Sequence, residues 1–200
     1  MRAYFVLLMS ILVFAKGFCQ ARFEVKNIGF SIEVPENWIP MENEAILKNL
    51  NQYDFTEKQM EELLKSNNSA VDLATYTKYD PKKYKGIIPT IKIRTHINQT
   101  DNMKDFVGII EKSAESTKKA LTNFRFINRP AITEISKHKA VQFSVQFTLK
   151  NGSVDYEIIS RTYYIPKKGY FISLNFIEEV GKEDNQLLFE ELIKSVQLIN

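Results

Sequence analysis

Residues 140–165, AVQFSVQFTLKNGSVDYEIISRTYYI, decide the fold class of this 200-residue chain. Apolar and polar residues alternate from Val141 to Leu149, which is the period of a β-strand with one buried face. Asn151-Gly152 between two such strands is the strongest short-range signal for a β-hairpin. The second strand carries apolar side chains on both faces, so each face of the sheet needs a covering layer.

Strand-like alternation continues on both sides of this hairpin. The predicted strands are 23–34 (a hairpin turning at Asn27-Ile28-Gly29), 70–79, 91–97, 124–135, 140–149, 154–165 and 170–177. The last four follow one another through short connections, which predicts an antiparallel meander. In strand 70–79 we expect Val71, Leu73 and Thr75 to share one face.

Two helices are predicted to cover the sheet. The longer, from Asp101 to Leu121, has apolar residues at helical spacing, acidic residues at its start and lysines at its end. The second spans Glu183 to Val196, and shorter helices are predicted within 44–66. No linker, repeat or low-complexity stretch divides the chain. The expected fold is therefore α+β, a three-layer α/β/α sandwich in which a central antiparallel β-sheet carries helices on both faces.

The first residues have the pattern of a secretory signal peptide. Arg2 provides a positive start, residues 3–15 are apolar except for Ser10, and a tail of small or polar residues follows. The apolar run is too short to cross a bilayer, which requires about 20 residues. We therefore predict a signal peptide at 1–19 and a single domain at 20–200, secreted or periplasmic and without a stable transmembrane span after processing.

Cys19 and Gln20 are the predicted processing residues, because cleavage between them leaves small residues at the −3 and −1 positions. Cleavage after Ala21 satisfies the same rule. The alternative is a lipid anchor on Cys19, but Phe18 and Lys16 stand where lipoproteins usually carry a small and a leucine-like residue. Because the chain has one cysteine, it forms no intramolecular disulfide framework and no multi-cysteine metal site.

The charge of the processed chain argues against one class of partner. The full chain has 27 basic and 24 acidic residues and a formal net charge of +3. Removing residues 1–19 deletes two basic residues, Arg2 and Lys16, and leaves a charge of about +1. Non-specific nucleic-acid binding usually requires a strongly basic domain. No nucleic-acid partner is therefore expected, and two histidines and one cysteine offer little for a metal or cofactor.

No local motif points to a reaction. The sequence contains no glycine-rich phosphate loop, Gly-x-Ser-x-Gly elbow or His-Glu-x-x-His zinc motif. Two patches remain as candidate partner-binding surfaces, the lysine- and tyrosine-rich loop 78–86 and the polar face of strand 91–97. The alternative for both is an ordinary solvated surface. Their candidate residues are Lys82, Lys83, Tyr84, Lys85, Lys92, Arg94 and His96.

Three stretches resemble the PsbP-like family. The first, GFSIEVPENW at 29–38, runs an aromatic-led strand into Pro-x-x-Trp, the second, GYFISL at 169–174, enters the last long strand, and the third, LFEELIKSV at 188–196, closes the chain. The resemblance, which extends to the Ran-binding Mog and DcrB-like groups, implies an α/β/α sandwich and an accessory or binding role. The region 42–66 is an insertion, and no residue of a photosystem interface can be matched.

Three functions are compatible with these features. We expect an exported, non-catalytic binding or accessory protein that meets a protein or envelope component through the sheet face or loop 78–86. The first alternative is a carrier of a small apolar ligand, which requires an apolar cavity of about 300 Å³ or more. The second is a hydrolase-type enzyme using His96, which requires a carboxylate within hydrogen-bond reach of the imidazole.

Overall fold

The computed structural model describes residues 21–41 and 70–198. The predicted signal peptide at 1–19, the processing residues Cys19 and Gln20, and the helices predicted within 44–66 lie outside this part of the chain.

Antiparallel strands make up most of the described chain. The strands are β1 (Arg22–Val25), β2 (Phe30–Glu33), β3 (Ile39–Pro40), β4 (Ala70–Thr77), β5 (Thr90–Ile97), β6 (Thr122–Ile135), β7 (His138–Asn151), β8 (Val154–Pro166), β9 (Tyr170–Glu179) and β10 (Gln197–Leu198). The helices are α1 (Met103–Lys118) and α2 (Gln186–Lys194), and a 3-10 turn at Lys26–Ile28 joins β1 to β2. All the predicted strands and both long helices are present, whereas β3 and β10 were not predicted.

The strands form two sheets. The large sheet has seven strands in the order β3-β4-β5-β9-β8-β7-β6, and the small sheet has three in the order β1-β2-β10. The predicted meander is confirmed as β6 to β9, with β5 pairing to its outer strand β9. Since β5 and β6 lie far apart in the sheet order, the connection between them, which contains α1, crosses the sheet.

The β7–β8 hairpin differs from its prediction by one residue. Asn151 belongs to β7 and pairs with Val154, so the two-residue loop consists of Gly152 and Ser153. Gly152 has a φ of 62°, which is the backbone conformation that a tight two-residue hairpin needs at its first loop position. The strands and their pairing are nonetheless as expected.

The predicted face of β4 is wrong beyond Asp72. The pairing register with β5 shifts between Asp72 and Ala74, so that Leu73 is the extra residue of a β-bulge. After the bulge Ala74 pairs with Ile93 and is buried, whereas Thr75 pairs with Lys92 on the opposite face. A bulge of one residue reverses the alternation that follows it, which explains why Thr75 does not share the face of Val71.

Two apolar clusters hold the molecule together. The first packs the small sheet and Phe189 and Leu192 of α2 against the large sheet, and the second packs Phe106 and Ile110 of α1 against β7. On β9, Tyr170 and Ile172 belong to the first cluster and Phe171 between them to the second, because successive side chains of a strand point to opposite faces. The predicted α+β class is confirmed, as a mostly antiparallel sheet with two α-helices among the described residues.

The two ends of the described chain meet at the small sheet. Trp38 is 8% exposed and lies edge-on to Phe189 of α2 at 6.2 Å between ring centroids. The Glu33 amide donates to Ser195 Oγ at 3.0 Å, directly before β10 pairs with β2. In the part of the chain described, no helix is long and apolar enough to span a membrane.

Candidate functional site

The structure divides the predicted partner-binding residues into two groups. Lys82 to Lys85 lie in the connection between β4 and β5, in a segment that we call the lysine loop (78–86). Lys92, Arg94 and His96 lie on β5, on the face opposite the buried Ile91 and Ile93, which we call the β5 face. The two groups therefore belong to different segments of the chain.

The lysine loop is fixed at its first residues by the segment that precedes α2. Lys78 Nζ forms a salt bridge with Glu183 and donates to Asn185 Oδ1 at 2.9 Å. The Tyr79 hydroxyl donates to the same Glu183 carboxylate. That hydrogen bond raises the pKa of Tyr79. Burial would raise the pKa of Glu183, but the hydrogen bonds from Lys78 and Tyr79 outweigh burial and lower it.

Contacts within the lysine loop fix the rest of its backbone. The Asp80 carboxylate accepts from the amide of Lys82 at 2.9 Å, and the Asp80 carbonyl accepts from the amide of Tyr84 at 3.0 Å. The Tyr84 ring stacks on Tyr79 with 4.7 Å between centroids. The backbone of the loop is thereby ordered, while three of its lysine side chains are exposed, those of Lys82, Lys83 and Lys85. Lys83 Nζ lies 3.6 Å from the Asp80 carboxylate.

A buried ion pair between β8 and β9 holds Asn185, which anchors Lys78. Arg161 and Glu178 form a salt bridge in which their side chains are 17% and 3% exposed. The Glu178 carboxylate also accepts from the backbone amide of Asn185 at 3.0 Å and from its side-chain amide at 2.9 Å. Because Asn185 in turn accepts from Lys78, the network is continuous from β8 to the lysine loop.

Sequence reasoning missed Arg161, Glu178 and Asn185. One signal was available for Glu178. It continues the alternation of Tyr170, Ile172, Leu174 and Phe176 on β9, so it falls on a face that is otherwise buried and apolar. A carboxylate in such a position requires a paired cation.

The β5 face combines two cations with one carboxylate. Asp72 on β4 forms a salt bridge with Arg94 and lies 3.8 Å from Lys92 Nζ. All three side chains are about one-third exposed. Antiparallel pairing places Arg94 beside Ser173 of β9, and Ser173 beside Tyr164 of β8. A row of side chains therefore runs across the sheet from Asp72 and Arg94 to Tyr164, in the region covered by α1.

His96 is half-buried rather than fully exposed. Its imidazole stacks on Phe171 with 5.0 Å between centroids and 14° between planes. Burial lowers the pKa of His96, and the positive charge of Arg94 lowers it further, while Asp72 opposes both effects. Among the described residues no carboxylate hydrogen-bonds to His96, since Asp72 bonds to Arg94 instead. The pairing of His96 with a carboxylate is therefore not formed within the described chain.

An apolar groove of about 290 Å³ lies between α1 and the sheet. Its floor consists of aromatic rings from the sheet, and its wall is α1, with Phe106, Ile110 and Ser113. The Tyr164 ring lies 4.7 Å from Phe171 and 5.3 Å from Phe143 between centroids. Burial raises the pKa of Tyr164 to about 12, so its hydroxyl is neutral at physiological pH. This volume is close to the lower limit of about 300 Å³ expected of a ligand carrier.

Within the described residues no cluster of three or more His, Cys, Asp or Glu side chains has the geometry of a metal site.

The arrangement of strands and helices matches a known fold. The solution structure of cyanobacterial PsbP (CyanoP) from Synechocystis sp. PCC 6803 has a TM-score of 0.54 at 11% sequence identity and covers 92% of this chain and 96% of that chain. The chain has a PsbP-like fold. The likeness to PsbP-like proteins that the sequence indicates is thereby confirmed at the level of the fold.

Two weaker structural similarities accompany it. LpqN of Mycobacterium tuberculosis, which is involved in cell envelope biogenesis, has a TM-score of 0.48 at 12% identity and covers 92% of this chain and 88% of that chain. PA94 of Pseudomonas aeruginosa, a protein of unknown function, has a TM-score of 0.47 at 10% identity, with 90% and 96% covered. No protein-family model matches the chain, and neither does any curated protein sequence.

Proposed function

We propose that this PsbP-like chain is an exported, non-catalytic binding or accessory protein that contacts a protein or envelope component through its lysine loop. The observation that carries the proposal is the anchorage of this loop by Glu183 and Asn185, described above. A loop that is ordered before binding loses less conformational entropy when it meets a partner. Ordered loops on a rigid sheet are also where binding residues concentrate.

The charges around the lysine loop favour a specific partner over a broad anionic surface. Lys83 lies near the carboxylate of Asp80, and Lys182 Nζ lies 3.0 Å from Glu179 Oε2 beside Gly86. Acidic groups therefore neutralise part of the positive charge, and salt screens the remainder beyond a Debye length of about 8 Å. Such a pattern suits a partner with complementary charges at matching positions.

The proposed function also implies export of the chain and a three-layer arrangement of its sheet and helices. We infer that residues 1–19 direct export and are removed, with a lipid anchor on Cys19 as the alternative, and that 20–200 act outside the cytoplasm. We further infer a three-layer α/β/α arrangement, since α1 belongs to one apolar cluster and α2 to the other. Fractionation of the source cells tests the export, and sequencing of the mature N-terminus tests the cleavage.

Affinity capture with crosslinking tests the lysine loop. The tagged full-length chain is expressed in its own cells, and the crosslinked partners of the wild type are compared with those of K82E/K83E/K85E. The matched control, K118E/K119E/K150E, reverses three exposed lysines elsewhere on the surface. We expect a partner that the loop variant loses and the control keeps. Recovery of the same partner with all three proteins would contradict the proposal.

A second candidate function, carriage of a small apolar ligand, is supported by the groove beneath α1. Its lining is mostly aromatic and aliphatic, and its volume of about 290 Å³ lies at the lower limit for small-molecule sites. Native mass spectrometry of the protein purified from its own cells tests this function, because a resident ligand adds a discrete mass that denaturation removes.

A further inference from the structure

The groove beneath α1 has an apolar interior and an open side on the helix. Six rings, those of His96, Phe106, Phe124, Phe143, Tyr164 and Phe171, line it. On α1, Ile109 also lines the groove and is 42% exposed, although it is a large aliphatic residue. An aliphatic chain lying in the groove would cover part of this exposed surface, which is the favourable term in binding.

The volume of the groove limits the occupant to one short chain. At about 290 Å³ it equals the volume of roughly ten water molecules in the liquid. A lipid with two long chains exceeds this space, whereas a single chain of moderate length fits it. The volume of the groove therefore matches that of a single short chain.

Among the described residues, the ion pairs at the end of the groove nearest β5 leave positive charge in excess. Lys92 and Arg94 share the single carboxylate of Asp72, so their pairing leaves one charge in excess. Arg94 acts electrostatically on both His96 and Tyr164, which line the groove. The short side chain of Ser173 separates Arg94 from Tyr164 in the strand register, so the cation lies next to the groove.

We propose that the groove binds a single-chain anionic amphiphile, with its chain on the aromatic floor and its anionic head beside Arg94. The inference rests on the carrier function and adds to it a ligand class and an orientation. An anion competes with Asp72 for Arg94 and leaves Lys92 to neutralise Asp72. The head stays at the surface, where all three side chains are about one-third exposed, so no isolated charge is buried.

Calorimetric titration with three ligands of equal chain length tests the head group. Decanoate, decanol and decyltrimethylammonium are titrated, below their aggregation concentrations, into the full mature chain. We expect decanoate to bind about fivefold more tightly than decanol, which is the effect of one ion pair that is about one-third exposed, and decyltrimethylammonium to bind more weakly than decanol.

Four variants test the orientation. R94Q should weaken decanoate binding about fivefold and D72N should strengthen it by a similar factor, with decanol unchanged in both. Opposite shifts from two neighbouring substitutions cannot arise from loss of folding. S113F places a ring in the groove and should abolish binding of all three ligands, while S116F, on the same helix but outside the groove lining, should leave it unchanged.

The outcomes separate this inference from the carrier function. Equal affinity for decanoate and decanol, with no effect of R94Q or D72N, overturns the assignment of an anionic head but leaves an apolar carrier. No binding of any ligand, or binding that S113F does not affect, overturns both. A fivefold preference for decanoate that R94Q removes and S113F abolishes supports both.

Discussion

Replacing Glu178 by glutamine (E178Q) should destabilise the protein more than most other single substitutions in the chain. Glu178 is 2% exposed and forms a salt bridge with Arg161, which is also largely buried. Its carboxylate accepts two further hydrogen bonds from Asn185, at 3.0 and 2.9 Å. E178Q keeps the shape of the side chain but removes the charge, so Arg161 is left in the interior without a counter-ion.

The expected loss is about 3–5 kcal/mol, the cost of breaking a buried ion pair by removing one partner. The two hydrogen bonds from Asn185 are each worth about 1.5–3 kcal/mol while the acceptor is charged, but these contributions overlap and do not add. The double variant R161M/E178M removes both charges, so it should lose less than E178Q. What remains is the cost of leaving Asn185 without its acceptor, about 1–3 kcal/mol.

Urea denaturation followed by circular dichroism measures these free energies, with E191Q as the control. Glu191 forms an exposed pair with Lys194, so E191Q should change stability by less than about 1 kcal/mol. Amide hydrogen exchange in the lysine loop should also accelerate in E178Q, because Asn185 then holds Lys78 less firmly. A loss below about 1 kcal/mol for E178Q, or an equal loss for the double variant, would refute the reasoning.

Three further predictions concern the two ends of the chain and the second cluster. W38A, which removes a side chain that is 8% exposed, should cost about 3–5 kcal/mol in urea denaturation, and a loss near zero would show that Trp38 does not pack as described. S195A should lower the unfolding free energy by about 1–2 kcal/mol, because the Glu33 amide loses its acceptor at 3.0 Å, whereas S195T should retain much of it. Burial raises the pKa of Tyr164 from 10.0 to about 12, so this tyrosine ionises at a lower pH in the unfolded state than in the folded state. Its contribution to the free energy of unfolding is complete below pH 10 and is lost as the pH rises to 12. This loss reaches about 3 kcal/mol in denaturation measured across that range, and Y164F should show a correspondingly smaller decline.

The sheet could be predicted from sequence because its signal is local. Alternation along each strand of the meander identifies both the strand and its buried face, and the glycine at Gly152 marks the turn. The bulge at Leu73 could not be predicted, since nothing local marks the extra residue and only pairing with β5 reveals it. The strand β10 has two residues, too few for a period, and exists because β2 offers an unpaired edge.

The candidate sites depend on contacts that local patterns do not contain. The lysine loop is ordered because Lys78 and Tyr79 hydrogen-bond to Asn185 and Glu183, which are about a hundred positions away in sequence. The groove likewise requires α1 to cross the sheet, and that crossing follows from the position of β5 beside β9. The sequence could therefore nominate the lysines and His96 as candidates, but it could not predict that the former would be anchored or the latter would stack on Phe171.

The residues that carry the PsbP resemblance explain why it predicts fold better than function. Trp38 packs on Phe189, and Ser195 bonds to the amide of Glu33, so these residues close the small sheet against α2. None of them belongs to the lysine loop, and of the three matching stretches only Phe171 lines the groove. Two chains can share such closing contacts while presenting different loops and grooves to different partners. Function must therefore be tested at the lysine loop and at Arg94, where this chain places charge on an ordered frame.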